Sequence, residues 1–212
     1  NKKAGLLNYL LLFLACYSVS NADTVMDWNV TARTLVVESK LYTPPANRVM
    51  AIVHTAIHQA VKAVNPENAI AIESAIAAAS YTSLMGLLPN QKSDVESAYL
   101  NALKSIPEGV VREAGIEAGK QAAQTILAAR NNDGFDQIES YRPYTTAGNY
   151  VPTVIPAVPH WPQRQTWMLD NAEQFRPGPP PELNSEVWAK DLNEVKALGA
   201  YNSTTRTTEQ TE

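Results

Sequence analysis

Apolar residues recur at intervals of three and four from Trp28 to about Arg130, a spacing that predicts helices rather than strands and makes residues 23–134 a helical bundle segment. The pattern is clearest after Pro44-Pro45, where Pro45 fits the first turn of a helix that continues to Val64. Asn65-Pro66 ends this helix. Its broad apolar face consists of Val49, Ile52, Val53, Ala56, Ile57, Ala60, Val61 and Val64.

Four more helices are predicted in this part of the chain. The first contains Val30, Leu35, Val36 and Val37 and ends before Pro44, and the others cover residues 68–88, 93–104 and 108–130. The helix over 68–88 is rich in alanine, which allows neighbouring helices to approach closely and places it inside a bundle. The last helix carries a face of small residues, namely Gly115, Ala118, Gly119, Ala122 and Ala123.

Residues 135–183 have a different composition, since nine of the fourteen prolines and seven aromatic residues lie between Phe135 and Pro181. A long segment of this kind predicts an ordered loop. It is either a functional loop or, as we favour, a strap packed across the helices. The aromatic residues expected to anchor it are Tyr141, Tyr144, Tyr150, Trp161, Trp167 and Phe175.

The last part of the chain, 184–212, predicts one helix and the start of another. Asn184 or Ser185 can cap a helix that Gly199 ends. Thr207 and Gln210 have the spacing of a capping box, so we expect the chain to stop inside the first turn of a further helix. The apolar stripe of the first of these helices is Val187, Leu192, Val195 and Leu198.

The N-terminus has the pattern of a secretory signal peptide over residues 1–22. Two lysines precede a charge-free stretch, and Ser20-Asn21-Ala22 predicts cleavage before Asp23, which implies a secreted or periplasmic protein. The alternatives are an uncleaved anchor, for which the apolar core is short, and lipidation at Cys16. Cleavage would remove the only cysteine and both lysines, taking the net charge from −4 to −6. This acidic balance, without a basic cluster, gives no support for nucleic-acid binding.

Three histidines are the first candidates for chemistry. His54 and His58 share one helix face, as a metal pair requires, but no glutamate follows His54 as in the HExxH motif. Hydrogen-bonded packing is therefore the favoured interpretation of His54, and His160 cannot be assigned as a further ligand. Asp133 and Asp136 fall in the turn that ends a helix, where we interpret them as capping residues. The sequence contains neither a GxSxG motif nor a glycine-rich phosphate loop.

Several segments, in their order along the chain, resemble the bacterial vanadium-dependent haloperoxidases of the type 2 phosphatidic acid phosphatase superfamily. The resemblance covers residues 27–212. Its segments are Asp27-Trp28-Asn29, Pro44-Pro45-Ala46-Asn47-Arg48, the helix AIVHTAIHQAVKAV, ILAARNNDG at 126–134, Gly148-Asn149-Tyr150-Val151-Pro152-Thr153 and the Pro-rich entry, EVKALG helix and STTRTTEQT run of 174–212. One departure is Gln59-Ala60-Val61-Lys62, where relatives commonly read DAV followed by Asn.

The resemblance implies the N-terminal half of a haloperoxidase-like fold, with the catalytic residues beyond residue 212. In the family a lysine, arginines and histidines surround vanadate, and halide is oxidised by hydrogen peroxide. Arg142-Pro143 and Arg176-Pro177 each match one element of that site, but the required lysine positions hold Phe135 and Leu169. We therefore assign no catalytic, cofactor or metal residue within this chain and expect it to be inactive alone. The alternatives are an acid or lipid phosphatase of the same superfamily and a secreted helical interaction module without enzyme activity.

Overall fold

The computed structural model describes residues 22–212, and the regular secondary structure in this range is entirely helical. The all-α prediction is therefore confirmed for this part of the chain. The predicted signal peptide and Cys16 lie outside the described residues, apart from Ala22. The six α-helices are α1 (Ala22–Glu38), α2 (Thr43–Lys62), α3 (Ala69–Leu87), α4 (Lys92–Lys104), α5 (Val110–Ala129) and α6 (Glu186–Gly199), with 3-10 turns at Pro89–Gln91 and Trp161–Gln163.

The chain forms two compact units that divide between Asp133 and Gly134. Helices α1 to α5 belong to the first unit, and α6 belongs to the second. The predicted helices of the first unit appear with ends shifted by one or two residues, except that α1 begins eight residues before Val30.

Helix α3 is the centre of the first unit and contacts each of its other four α-helices. Its alanines after the exposed Ala69 are at most 7% exposed, which confirms the interior position predicted from composition. By length and composition α3 could also cross a membrane, but most of it is buried in the bundle, as is typical of a core helix. Asn68 caps α3, since its Oδ1 accepts a hydrogen bond of 3.2 Å from the amide of Ala71.

The closest approach in the bundle is between α3 and α5, and two glycines allow it. A Cβ atom on Gly115 would lie 2.6 Å from the carbonyl oxygen of Ala71, and one on Gly119 would lie 2.9 Å from the Cβ of Ala78. Neither contact can be relieved by a side-chain rotation alone. The small-residue face predicted for α5 is thus the surface that packs on α3.

Two of the four apolar residues named for α1 lie on its buried side. Trp28 is only 3% exposed and is the large core residue of this helix, together with Leu35 and Val36, whereas Val30 and Val37 point outward. Residues 28, 32, 35 and 36 share one helix face, while 30 and 37 lie on the other side. The helical spacing that begins at Trp28 therefore defines the buried face of α1.

The second unit has a long segment, residues 134–185, whose one helical element is the 3-10 turn Trp161–Gln163. The guanidinium of Arg164 stacks on the rings of Trp161 and Phe135, at 4.2 Å and 4.9 Å from their centroids. Tyr144, Tyr150 and Phe175 are each at least 70% exposed. Tyr141 and Trp161 are half-buried. The anchoring role and the strap interpretation remain predictions.

Candidate functional site

The two histidines of α2 have different surroundings. His54 is half-buried, and its Nε2 lies 3.0 Å from Oδ1 of Asn29, which connects α2 to α1. This confirms the hydrogen-bonded packing predicted for His54. His58, one turn further along α2, is exposed and lies at a groove between α2 and α5.

The structure does not bring the three histidines together. Nδ1 of His160 lies 3.3 Å from a carboxylate oxygen of Glu139, within the second unit. Among residues 22–212, no group of three or more His, Cys, Asp or Glu side chains is placed to hold a metal ion.

The groove beside His58 follows the seam between α2 and α5. These helices are antiparallel, because the start of α2 lies near the end of α5 while Ala63 lies near Ala118. Two adjoining sections, of about 610 Å³ and about 430 Å³, share Ala63 and Ala118. The larger section is further lined by His58, Gln59, Lys62, Gln121, Ala122 and Thr125, and the smaller by Val64, Asn65, Asn68, Ala71, Val110, Val111, Ala114 and Gly115.

The groove has an apolar floor and a weakly basic rim. Small side chains form the floor, and Val110 at one end is 86% exposed. His58 and Lys62 are its ionisable lining residues, and no carboxylate is among the residues that line it. This arrangement provides shape and charge for binding, but no acid, base and nucleophile in contact with one another.

A buried ion pair closes the opposite end of the α2–α5 seam. Nε of Arg48 donates to the carboxylate of Asp133 at 2.8 Å, and Nη2 donates to the carbonyl oxygen of Arg130 at 2.9 Å. The side chains of Arg48 and Asp133 are 10% and 4% exposed. The interpretation of Asp133 as a capping residue missed this ion pair, while Asp136 is exposed.

A pair of tyrosines forms a second polar cluster, where α4 packs on α3. The rings of Tyr81 and Tyr99 stack at 4.2 Å between centroids, and the Tyr81 hydroxyl donates to the Glu96 carboxylate at 2.7 Å. This hydrogen bond, with burial and the negative charge of Glu96, raises the pKa of Tyr81 to about 12. Burial is also the main cause that raises the pKa of Tyr99.

In the second unit, residues 203–211 complete the end of α6. The hydroxyl of Ser203 donates to the carbonyl of Ala197 at 2.7 Å, and Nη1 of Arg206 donates to that of Leu198 at 3.0 Å. These bonds satisfy carbonyl groups that have no partner inside the helix. The start of α6 is capped by Ser185, whose Oγ accepts from the amide of Trp188 at 3.1 Å.

The predicted capping box at Thr207 is present. The amide of Thr207 donates to Oε1 of Gln210 at 3.0 Å, and the amide of Gln210 donates to Oγ1 of Thr207 at 3.2 Å. A cleft of about 520 Å³ between this turn and α6 is lined by Asp191, Glu194, Val195, Leu198, Gly199, Arg206 and Gln210.

The apolar stripe predicted for α6 is largely uncovered. The helix has no buried residue, and Val187, Leu192 and Val195 are between 54% and 68% exposed. Glu194 lies at one edge of the stripe, while Asp191, four residues from both Val187 and Val195, lies within it. The helix thus presents an apolar face interrupted by a carboxylate.

The two Arg-Pro pairs have local roles in the structure. Arg142 donates to the backbone carbonyl of Tyr141, and Arg176 pairs with Glu173 at 3.1 Å. Both arginines are exposed.

Comparison of the chain with protein-family models, with curated proteins and with solved structures finds no match.

Sequence reasoning missed the Arg48–Asp133 ion pair, the tyrosine cluster and the groove. The sequence does indicate that Arg48 has a partner, because a lone arginine in the first turns of an apolar helix needs one if it is buried. It does not indicate that the partner is Asp133. No sequence pattern predicts the groove, since its walls come from two helices and the sequence does not show which sides of them face each other.

Proposed function

We propose that this chain is the N-terminal scaffold half of an exported vanadium-dependent haloperoxidase-like protein, with halide oxidation carried out by residues outside these 212. The ion pair between Arg48 and Asp133 is the observation that supports this most directly. It joins two of the segments through which the chain resembles the family, at 44–48 and 126–134. Those residues are used to hold helices together, as a scaffold requires.

Other residues of the same segments are also used in packing. Trp28 is buried in the core, and Asn29 binds His54. The capping box at Thr207 and Gln210 belongs to a further such segment. These contacts are compatible with the haloperoxidase-like fold that we propose.

Vanadate would be the cofactor of the whole protein, but the described residues do not fit it. An oxyanion site needs several cationic or amide donors directed at one point. Arg142 and Arg176 are instead exposed, and the positions that would supply a lysine hold Phe135 and Leu169. We therefore derive no reaction step through vanadate in this chain.

The test compares the 212-residue chain with the product of the complete natural reading frame. Both are assayed with vanadate, bromide and hydrogen peroxide, and separately with a phosphate monoester. We expect halide oxidation by the complete product and no turnover by the 212-residue chain. Bromide oxidation by the 212-residue chain would contradict the scaffold proposal.

Two alternatives give different results in these assays. Ester hydrolysis without halide oxidation by the complete product would indicate a phosphatase of the same superfamily. If the complete product has neither activity, a secreted helical interaction module becomes the better proposal. The exposed apolar residues of the second unit, such as Ile138 and Met168, favour this last alternative.

Export is tested separately by N-terminal sequencing of the protein recovered outside the cytoplasm. We expect a chain that begins at Asp23, and a chain that retains residues 1–22 would contradict cleavage.

A further inference from the structure

A new helix begins shortly after α6, at Thr207. Beside the capping box of Thr207 and Gln210, the amide of Glu212 donates to the carbonyl of Thr208 at 3.3 Å, which is the backbone bond that defines an α-helix. The hydroxyl of Thr211 also donates to the carbonyl of Thr207 at 3.0 Å. These bonds make residues 207–212 the first turn of a helix.

The connection from α6 to this turn is short and is held against the end of α6. It consists of residues 200–207, a length that is usual between neighbouring helices of a bundle. Ser203 and Arg206 donate to carbonyl groups in the last turn of α6, so the connection cannot move away from that end without losing these bonds. Helices joined by so short a connection normally lie antiparallel.

The new turn lies on the apolar side of α6. Arg206 and Gln210 line a cleft of about 520 Å³ together with Val195 and Leu198, which belong to the apolar stripe. Val187 and Val195 are 55% and 68% exposed. A helix that continues from Gln210 therefore starts beside an apolar face that the rest of the second unit leaves exposed.

We propose that the residues after Glu212 continue this helix and pack antiparallel on the stripe of α6, so that the two helices form a hairpin. Burial of the stripe supplies the attraction, and the capping box fixes where the second helix begins. This inference rests on the proposed scaffold function, because that function places further residues of the protein outside these 212. It assigns the stripe of α6 to the same chain rather than to a partner.

The hairpin would also bury Asp191, which lies within the stripe. A buried carboxylate without a hydrogen-bond donor is costly, so the covering helix has to leave room for a donor at this point. Arg206 is the cationic side chain among the residues that line the same cleft. We therefore expect Arg206 to remain beside Asp191 when the stripe is covered.

The first test is the natural sequence that follows Glu212. Gln210 lines the cleft, so apolar residues are expected three, four and seven positions after it, on the same side of the helix. A proline or a stop codon within these positions would overturn the hairpin.

The second test measures hydrogen exchange of the α6 amides in the product of the complete natural reading frame. Val195→Asp should accelerate this exchange about tenfold or more, because it places a charge between the two helices and favours their local opening. Ala189→Asp is the matched control, since Ala189 is exposed on the opposite side of α6, and it should change little.

Nuclear magnetic resonance of the complete product identifies what covers the stripe. We expect methyl contacts from Val187 and Val195 to residues that follow Glu212, and none from Ala189. Contacts only to other parts of the chain, or only to a second copy, would overturn the hairpin. So would α6 amides that exchange as fast in the complete product as in the 212-residue chain. If Val195→Asp prevents folding, the methyl contacts of the unmodified product decide.

The activity assays separate this inference from the scaffold proposal. A complete product that oxidises bromide but leaves α6 uncovered would overturn the hairpin alone. A covered α6 in a product without halide oxidation would support the hairpin and contradict the proposed activity. A reading frame that ends at Glu212 would overturn both.

Discussion

Arg48 and Asp133 are 85 residues apart in the chain, yet their side chains form an ion pair of 2.8 Å that is almost completely shielded from water. The contact joins the first turns of α2 to the residues that follow α5. Removing one member leaves the other charge buried, and this usually costs more than the pair itself contributes. We expect Asp133→Asn to lower the free energy of unfolding by about 3 kcal/mol in urea denaturation.

A matched variant separates this effect from the general loss of a charge. Lys120 and Glu117 approach to 4.0 Å on the surface of α5, and both are more than half exposed. Lys120→Ala should therefore change the free energy of unfolding by less than about 0.5 kcal/mol. Equal effects of the two substitutions would show that the burial of Arg48 and Asp133 has no energetic consequence.

Gly119 is where α5 comes closest to α3. In most helices a change from glycine to alanine is stabilising by about 1 kcal/mol, because alanine has the better helix propensity. Here the new methyl group would lie 2.9 Å from both the Cβ of Ala78 and the backbone nitrogen of Ala79. We expect Gly119→Ala to destabilise the protein by about 2 kcal/mol or more, measured as a lower midpoint of unfolding.

Gly86 provides the comparison for Gly119. A Cβ atom there would lie 3.3 Å from Cδ1 of Leu127, which is the end of a flexible side chain. Gly86→Ala should thus be neutral or slightly stabilising. If both alanine variants gain stability, the helices have room to separate and the close approach is not required.

The helices could be predicted because apolar residues spaced three and four apart form one face of each helix. In α2 the spacing of Val49, Ile52 and Val53 is that of a single buried face, and all three are buried. In α1 the same spacing, counted from Trp28, places Leu35 and Val36 on the buried face. The partners of Arg48 could not be predicted, since a pair 85 residues apart leaves no local pattern.

The groove and the α6 face show a different limit of sequence reasoning. The stripe of Val187, Leu192 and Val195 predicted an amphipathic helix correctly, but amphipathic spacing does not tell which surface covers the stripe. In the same way, the helical spacing of α2 places His58 and Lys62 beside the buried residues of that helix. That they lie at a groove follows only from the position of α5.

Ser80 and Ser83 are buried hydroxyl groups in the middle of α3. Neither Oγ atom has a hydrogen-bond partner among the described residues, and both side chains are inaccessible. A buried hydroxyl without a partner costs free energy, so its removal relieves a cost. We expect Ser80→Ala and Ser83→Ala to leave the free energy of unfolding unchanged or to raise it by up to about 1 kcal/mol.

Ser74 is the matched case on the same helix. Its hydroxyl donates to the carbonyl of Ile70 at 2.6 Å, so Ser74→Ala should lower the free energy of unfolding by about 1 kcal/mol. If Ser80→Ala and Ser83→Ala are each as costly as Ser74→Ala, their hydroxyls are bonded in solution, for example to an internal water molecule.

The tyrosine cluster predicts how the protein responds to alkali. The pKa of Tyr81 is raised from its ordinary value of 10.0 to about 12, chiefly because its hydroxyl donates to Glu96. The proton is therefore held more tightly in the folded state than in the unfolded state. The resulting stabilisation is fully present below pH 10 and is lost as the pH rises through about 12.

The pKa can be measured by a rapid pH jump, with phenolate absorbance recorded before the protein unfolds and Tyr81→Phe used to identify the Tyr81 signal. Glu96→Gln should lower the pKa of Tyr81 towards 10.0, because it removes both the carboxylate acceptor and the negative charge. Glu113→Gln is the control, since Glu113 raises the pKa of Tyr99 and is not among the causes that act on Tyr81. An unchanged Tyr81 titration in Glu96→Gln would mean that the hydrogen bond of 2.7 Å does not hold the proton, and that burial alone raises the pKa of Tyr81.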